Sequence, residues 1–493
     1  MSFEVQILLR NAFDHIKDRR HDLAIELLSK ARNLNPKNVD VLRLLSIASA
    51  FQFNYIDALE FIDEAINLEP ANGVAYSNRG NILKELGRYS EALESFDRAI
   101  ELSPNYHEAY SNKGNVLQDL YQYKESLSYY DKAIKLFPEY SQAYTNKANA
   151  LEVLGYYGEA LSHYNLAIQI NPNNADAYWN KSASQLRSGD FEGGWQNYEA
   201  RWFMENPIPY KFSHIPRLQD LSNLHGKKIL VWAEQGLGDT IQFCRYLKLL
   251  SSLGAVVTFE APNSLLVILR SLTGNCVLTS NILDVAETFD YQSPLLSLPL
   301  LFNTRLETIP ADVPYLKAFD GRKISLESQI PLGRNLKVGI VWNGGLRKGA
   351  GWLCAINNRR NIELEEIARL QVVTGVDFYS LQKGEPAESE LRAKKDTLWP
   401  NLIECSHLLE DFSDTAAVME CLDLIISVDT SSAHLAGALG RPVWILNRYD
   451  SCWRWLRGRT DSPWYPSATL YQQNKPGDWM YVIETVCVLE IEK

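Results

Sequence analysis

Apolar and small residues along the first two hundred positions keep one recurring register. Alanines stand at Ala31, Ala65, Ala99, Ala133 and Ala167, and prolines at Pro36, Pro70, Pro104, Pro138 and Pro172, each 34 residues after the last. Within the unit Gly73 to Tyr106, Tyr76, Gly80 and Leu83 fall at helical spacing, and so do Ala92, Phe96 and Ala99, which predicts two amphipathic helices per unit. Small residues at Gly80, Ala92 and Ala99 let the paired helices approach, and Pro104 stops the second helix. About five units are legible, with a divergent sixth at residues 190–204. That is enough for neighbours to bury a continuous core.

A 34-residue period built this way is the signature of tetratricopeptide repeats, so residues 1–204 are expected to form an α-solenoid. A second periodic set is not required by packing. Asn78, Asn112, Asn146 and Asn180 each follow a periodic tyrosine, Tyr76, Tyr110, Tyr144 or Tyr178, by two positions. On the first helix of a repeat this position is expected to face the concave groove. A row of carboxamides there donates to and accepts from an extended backbone of any sequence, which makes a polypeptide acceptor the expected partner. The competing explanation is that these asparagines bond between repeats, and Asn81, Asn115 and Asn149 fit either view. At the first four positions the repeats resemble the superhelix of the eukaryotic O-GlcNAc transferases.

Beyond residue 204 the period fades. Pro207, Pro209 and Pro216 mark residues 205–225 as a linker. From Lys227 short β runs alternate with helices. Strands are expected at Ile229 to Ala233 and Ala255 to Glu260, and then at Lys337 to Asn343, Asp377 to Leu381, Leu424 to Val428 and Val443 to Leu446. Helices are expected at Asn263 to Leu272, near Glu363 to Leu370, around Ser413 to Cys421 and from Ser432 to Leu439. Two βα series, residues 226–330 and 331–493, imply two Rossmann-like halves of an α/β region facing each other over a cleft. The first is expected on the acceptor side and the second on the nucleotide side.

The stretch Val231 to Leu250 carries the densest candidate chemistry. An apolar run enters the turn Gly236-Leu237-Gly238-Asp239, and a helical pattern through Ile241, Phe243, Leu247 and Leu250 leaves it. Glycines let a ligand approach the backbone, and a carboxylate, Asp239, stands at the mouth. The plain alternative is a structural β–α turn with Asp239 as a helix cap.

The net charge of −11 without like-charge blocks argues against nucleic acid or an anionic membrane as partner. Seven cysteines without a Cys-x-x-Cys pair suggest reduced thiols and a cytoplasmic setting. No run approaches the length of a membrane helix and no signal-peptide core opens the chain.

The turn at 236–239 and the later Val-Asp-Thr-Ser-Ser-Ala-His at 428–434 resemble the heptosyltransferase group of GT-B glycosyltransferases. With the blocks Glu234 to Phe243, Ser427 to Thr430, His434 to Ala438 and Asp461 to Pro466, and the junction Gly189 to Trp195, the chain looks like bacterial tetratricopeptide proteins with a fused heptosyltransferase-like domain. Some of those glycosylate flagellin. The resemblance implies a glycosyltransferase that moves a sugar from a nucleotide-sugar to a protein hydroxyl, with Asp239 as the base. Gly236 and Gly238 would shape the loop, and Asn343, Arg359, Arg360, Lys383, Asp429, Thr430, Ser431 and His434 would hold the donor. Gln242 is a candidate acceptor contact. A structural role for His434, and a solvated pair at Arg359 and Arg360, are the plain alternatives. No cofactor and no metal are implied, since the C-terminal half has no Asp-x-Asp pair. Ser431 replaces the glycine of the group's motif, and the loop after Asn343 runs Gly-rich through Gly351 to Asn358. The donor is therefore left open. A transferase acting on lipopolysaccharide sugar and a non-catalytic repeat scaffold are the other function classes.

Overall fold

The computed structural model describes residues 2–204, 209–272, 276–282, 288–327, 335–345, 357 and 359–489. Pro207, Gly351, Cys354, Asn358 and the expected junction at residues 330–331 lie outside them. The chain divides into two compact units between Asn180 and Lys181, inside the helix Ala175–Ser188, and not at residue 204.

In the first unit, antiparallel pairs such as Gly73–Glu85 with Tyr89–Leu102 and His107–Asp119 with Tyr123–Leu136 repeat the same construction. Second helices end at Leu34, Leu68, Leu102, Leu136 and Ile170, each two residues before its proline. First helices begin at asparagine caps where one is present. Asn38, Asn72 and Asn174 accept from the backbone N–H groups of Val41, Ala75 and Ala177 at 3.0, 3.1 and 3.0 Å. The pairs close because a Cβ at Gly80 or Gly114 would stand 2.7 Å from the ring of Phe96 or Tyr130. Arg79, Lys113 and Lys147 pair with Asp63, Asp97 and Asp131 sixteen positions earlier, joining each repeat to the next. The result is a tetratricopeptide solenoid.

The second unit opens with the end of Ala175–Ser188 and the short helix Phe191–Tyr198. The physical reason for the earlier boundary is aromatic. Trp195 stands 5.3 Å from Trp453 and 6.1 Å from Phe243, and Phe191 stands 6.3 Å from Trp464, ring centre to ring centre. The divergent sixth repeat is thus part of the α/β core.

That core holds two all-parallel sheets. The first runs β3-β2-β1-β4, with β1 Lys228–Trp232, β2 Val256–Glu260, β3 Cys276–Thr279 and β4 Tyr291–Pro294. The second runs β10-β9-β8-β5-β6-β7, with β5 Leu336–Val341, β6 Val376–Ser380, β7 Ile403–Glu404, β8 Leu424–Val428, β9 Val443–Asn447 and β10 Ala468–Gln472. Counted from β5, the order is that of a Rossmann fold, reversing between β5 and β8. Val338, Ile340 and Val428 share a core with Leu364, Trp479 and Ile483 on flanking helices and with Trp399 just past the helix Ala387–Leu398.

The expected single helix after β1 is two, Leu237–Phe243 and Arg245–Ser252. The ladder breaks because other groups take its carbonyls. Tyr315 donates to Ile241 O at 3.0 Å and the Arg245 Nε donates to Gln242 O at 2.8 Å. The Arg245 guanidinium also reaches Pro310 O and Trp464 O, at 2.8 and 2.9 Å, and so ties the two sheets together. Among the described residues no helix is long and apolar enough to cross a membrane.

Candidate functional site

Carboxyl ends of parallel strands collect backbone groups around one edge, and a cavity of about 240 Å³ opens where the second sheet reverses direction. Asn343 and Gly344 after β5, Gln382 and Lys383 after β6, and Thr430 to Ser432 after β8 line it. Leu409 to Phe412 cover it from beyond β7, and Ser264 reaches it from the first sheet's side.

The buried Gln382 side chain shapes the β5 loop. Its oxygen accepts from Trp342 N–H and Asn343 N–H at 3.2 and 3.0 Å, while its amide donates to Asn343 O at 3.0 Å. The Asn343 side chain closes the turn by accepting from Gly345 N–H at 2.9 Å. Arg360 donates to Asp429 O at 3.1 Å and to Asn357 Oδ1 at 2.8 Å, joining the segment before the helix Leu364–Ile367 to the end of β8. Arg359 is turned to Asp450 at 3.5 Å, and Lys383, half exposed, donates to Ser406 O at 2.9 Å. Thr430 caps the helix Ser431–Ala438 and shares its hydroxyl with Ser427 at 3.2 Å. The free N–H groups at this helix start suit an anion.

His434 sits one turn in and is almost fully buried. Its Nδ1 meets the Tyr465 hydroxyl at 3.0 Å and its ring stacks on Trp455 at 5.2 Å. Burial pushes its pKa down to about 4, with Asp429 opposing that shift. A neutral, stacked imidazole supplies no cation to a phosphate, and its Nδ1 is engaged by Tyr465. A Cβ on Gly238 would stand 2.8 Å from the His434 ring and 3.4 Å from Ser431 Cα. The glycine turn therefore lies directly against the cavity wall.

Asp239 is the third residue of the helix Leu237–Phe243, not its cap; Gly236 is the cap, and its N–H donates to Asp239 Oδ2 at 2.9 Å. The other carboxylate oxygen accepts from the guanidinium of Arg454, a residue of the loop between β9 and β10. Burial works against the charge on Arg454, but Asp239, Cys452 and Tyr198 outweigh it and hold its pKa above the ordinary arginine value. Gln242 corrects an expectation. It is fully buried, and neither end of its amide has a partner among the described residues. It cannot meet an acceptor at the surface in this conformation.

The groove asparagines separate. Asn146 is buried, donates to Ser111 Oγ at 3.3 Å and accepts from Gln142 at 3.1 Å, so it serves the array and not the groove. Asn78, Asn112 and Asn180 are half-buried. Asn115 and Asn149 resolve to the packing view, accepting from the hydroxyls of Tyr130 and Tyr164 at 2.8 and 2.6 Å.

Two groups escaped the sequence. Arg454 lies in the run Trp453-Arg454-Trp455, where the aromatic neighbours were the available signal. Glu234, within a block already singled out, has no exposed side-chain surface. It accepts from Leu295 N–H and Leu296 N–H, both at 3.0 Å, and from Arg201 at 3.2 Å. Burial pushes its pKa up to about 7 against the pull of Arg201.

Tetratricopeptide-repeat profiles match residues 80–120 and 111–175. Among curated proteins the chain is similar to Protein FlbA of Caulobacter vibrioides, 26% identical over 326 residues, covering 60% of this chain and 51% of that one. Similar solved structures include a thermophilic repeat protein of Thermus thermophilus, at 20% identity and a TM-score of 0.35, covering 37% of this chain and 99% of that one. Another is Pseudomonas aeruginosa pilF, at 19% identity and a TM-score of 0.34, covering 40% and 88%. The repeats of the first unit are thus tetratricopeptide repeats, and the chain spans about half the length of the curated relative it matches.

Proposed function

We propose that the α/β unit is a glycosyltransferase that moves a sugar from a nucleotide-sugar to a Ser or Thr hydroxyl of a protein recognised by the repeats. The supporting observation is the cavity at the β5/β8 reversal, with the start of the Ser431 helix on one wall and the Asp239 turn packed against that wall. In the reaction the acceptor O–H breaks and its proton passes to the Asp239 carboxylate. The acceptor oxygen bonds to the anomeric carbon as the carbon–phosphate oxygen bond breaks, its electron pair leaving on the nucleotide. Backbone N–H groups at Ser431 and Ser432, with Arg360 nearby, would carry the departing charge. The nucleotide-sugar is a co-substrate, and the transfer is proposed to be metal-independent and cytoplasmic, with flagellin the first acceptor to try.

A second reading, a non-catalytic scaffold, is favoured by one observation: both oxygens of Asp239 are engaged, one by Gly236 and one by Arg454. Calorimetry against CMP-, ADP-, UDP- and GDP-linked sugars decides between them. At least one should bind, and Thr430→Ala should weaken it about tenfold, the loss of roughly one charge-assisted hydrogen bond. Absence of binding to the whole panel removes the transferase reading.

A further inference from the structure

Asp239 and Arg454 are 215 positions apart in the chain, the first on the helix that follows β1 of the first sheet and the second between β9 and β10 of the second. The cap of the Leu237 helix needs only the Gly236 N–H, which already has its oxygen. Burying a guanidinium beside the second oxygen is an added desolvation cost that helix capping does not explain. The arginine is held tightly. Its Nη1 donates to Cys452 Sγ at 3.0 Å, its guanidinium lies 4.3 Å over the Trp453 ring, and its Nε has no partner among the described residues. Trp453 in turn packs on Tyr198 at 5.9 Å and on Trp195 at 5.3 Å.

A carboxylate offers about four lone-pair positions. Gly236 and Arg454 take one on each oxygen, which fixes the carboxylate plane and leaves two positions for a substrate hydroxyl. We infer that Arg454 is a positioning residue for the base: it locks the Asp239 carboxylate in one orientation and makes that orientation depend on the approach of the two sheets. This rests on the proposed transferase reading, in which Asp239 takes the acceptor proton.

The test uses the full chain, the donor found by the panel, and Arg454→Ala, Arg454→Lys and Asp239→Asn, each checked for folding by thermal melting. Arg454→Ala should lose about 100-fold in kcat, the size of effect a misplaced catalytic group produces, with donor Kd unchanged within about twofold. Guanidinium ion at tens of millimolar should restore about tenfold of that loss, and Arg454→Lys should fall between. In the Asp239→Asn background, Arg454→Ala should add no further loss. A wild-type kcat in Arg454→Ala overturns the inference, as does a loss of donor affinity that accounts for the whole effect, or additive losses in the cycle. If Arg454→Ala does not fold, the lysine variant and its kcat against Kd carry the same decision. Asp239→Asn with a wild-type rate would instead remove the base assignment itself. An inactive Asp239→Asn beside an active Arg454→Ala would remove only the role of Arg454.

Discussion

The repeat array and the α/β unit solve the same problem, burying polar groups, in opposite ways. In the array, polar partners are short-range and periodic: Asn115 with Tyr130 and Asn149 with Tyr164 lie 15 positions apart, and Lys113 with Asp97 lies 16. In the α/β unit enclosed arginines reach partners far away in sequence, as with Arg201 to Ser297 at 96 positions or Arg245 to Trp464 O at 219. The array therefore loses little when one rung is cut. The α/β unit concentrates its risk in a few charges.

The sharpest way to expose that contrast is Asp239→Asn. It removes the proposed base, which should cost transfer about 10²-fold to 10⁴-fold. It also strips the buried Arg454 of its partner, and breaking such a pair costs on the order of 3 kcal/mol. Melting should show a lowered Tm, partly restored in the double variant Asp239→Asn/Arg454→Ala, while transfer stays absent. An unchanged Tm in the single variant would mean that the pair is not held in solution.

Next in size is a pH effect from two buried groups of opposite sign. Glu234 has a folded pKa of about 7, above its unfolded value of 4.5. Its contribution is present below pH 4.5 and is lost as pH rises through 7. His434 has a folded pKa of about 4, below its unfolded 6.5, so its contribution is present above pH 6.5 and is lost as pH falls through 4. Each is worth at most about 3 kcal/mol. Glu234→Gln removes the first slope and leaves the second. Its Tm relative to wild type should rise from about pH 5 to about pH 8, and a flat difference would show that Arg201 keeps Glu234 charged throughout.

The smallest effects belong to the array. Asn146→Ala removes a buried bonded amide and should lower Tm by the equivalent of about 1 kcal/mol. Asn78→Ala with Asn112→Ala should leave Tm unchanged yet weaken a protein acceptor by about 5-fold to 150-fold, at roughly 0.5–1.5 kcal/mol per bond. If the double variant lowers Tm and spares the acceptor, the groove reading fails at those positions too.

Legibility followed range. The 34-residue period located the helix ends, because a proline removes an N–H wherever it stands. The strand Leu424–Val428 was readable from its run of apolar residues interrupted only by Ser427, since a parallel strand is buried on both faces. Four equivalent asparagines were not distinguishable, because Ser111 on the preceding repeat and Gln142 one turn earlier decide the fate of Asn146. Nor was the break after Phe243, which depends on Tyr315 reaching back 74 positions to a carbonyl.

What the sequence by itself determined is therefore the inventory: a repeat solenoid, a two-sheet α/β region, and a glycine turn ending in a carboxylate. Its signals are periodicities and local backbone preferences, which act over a few residues. What only the tertiary structure decided is the use of each polar group. Gln242 is sealed inside, His434 is stacked on Trp455, and Asp239 is held by an arginine from the segment between β9 and β10. Burial and charge pairing are properties of the packed interior. They link residues whose separation along the chain carries no pattern to read.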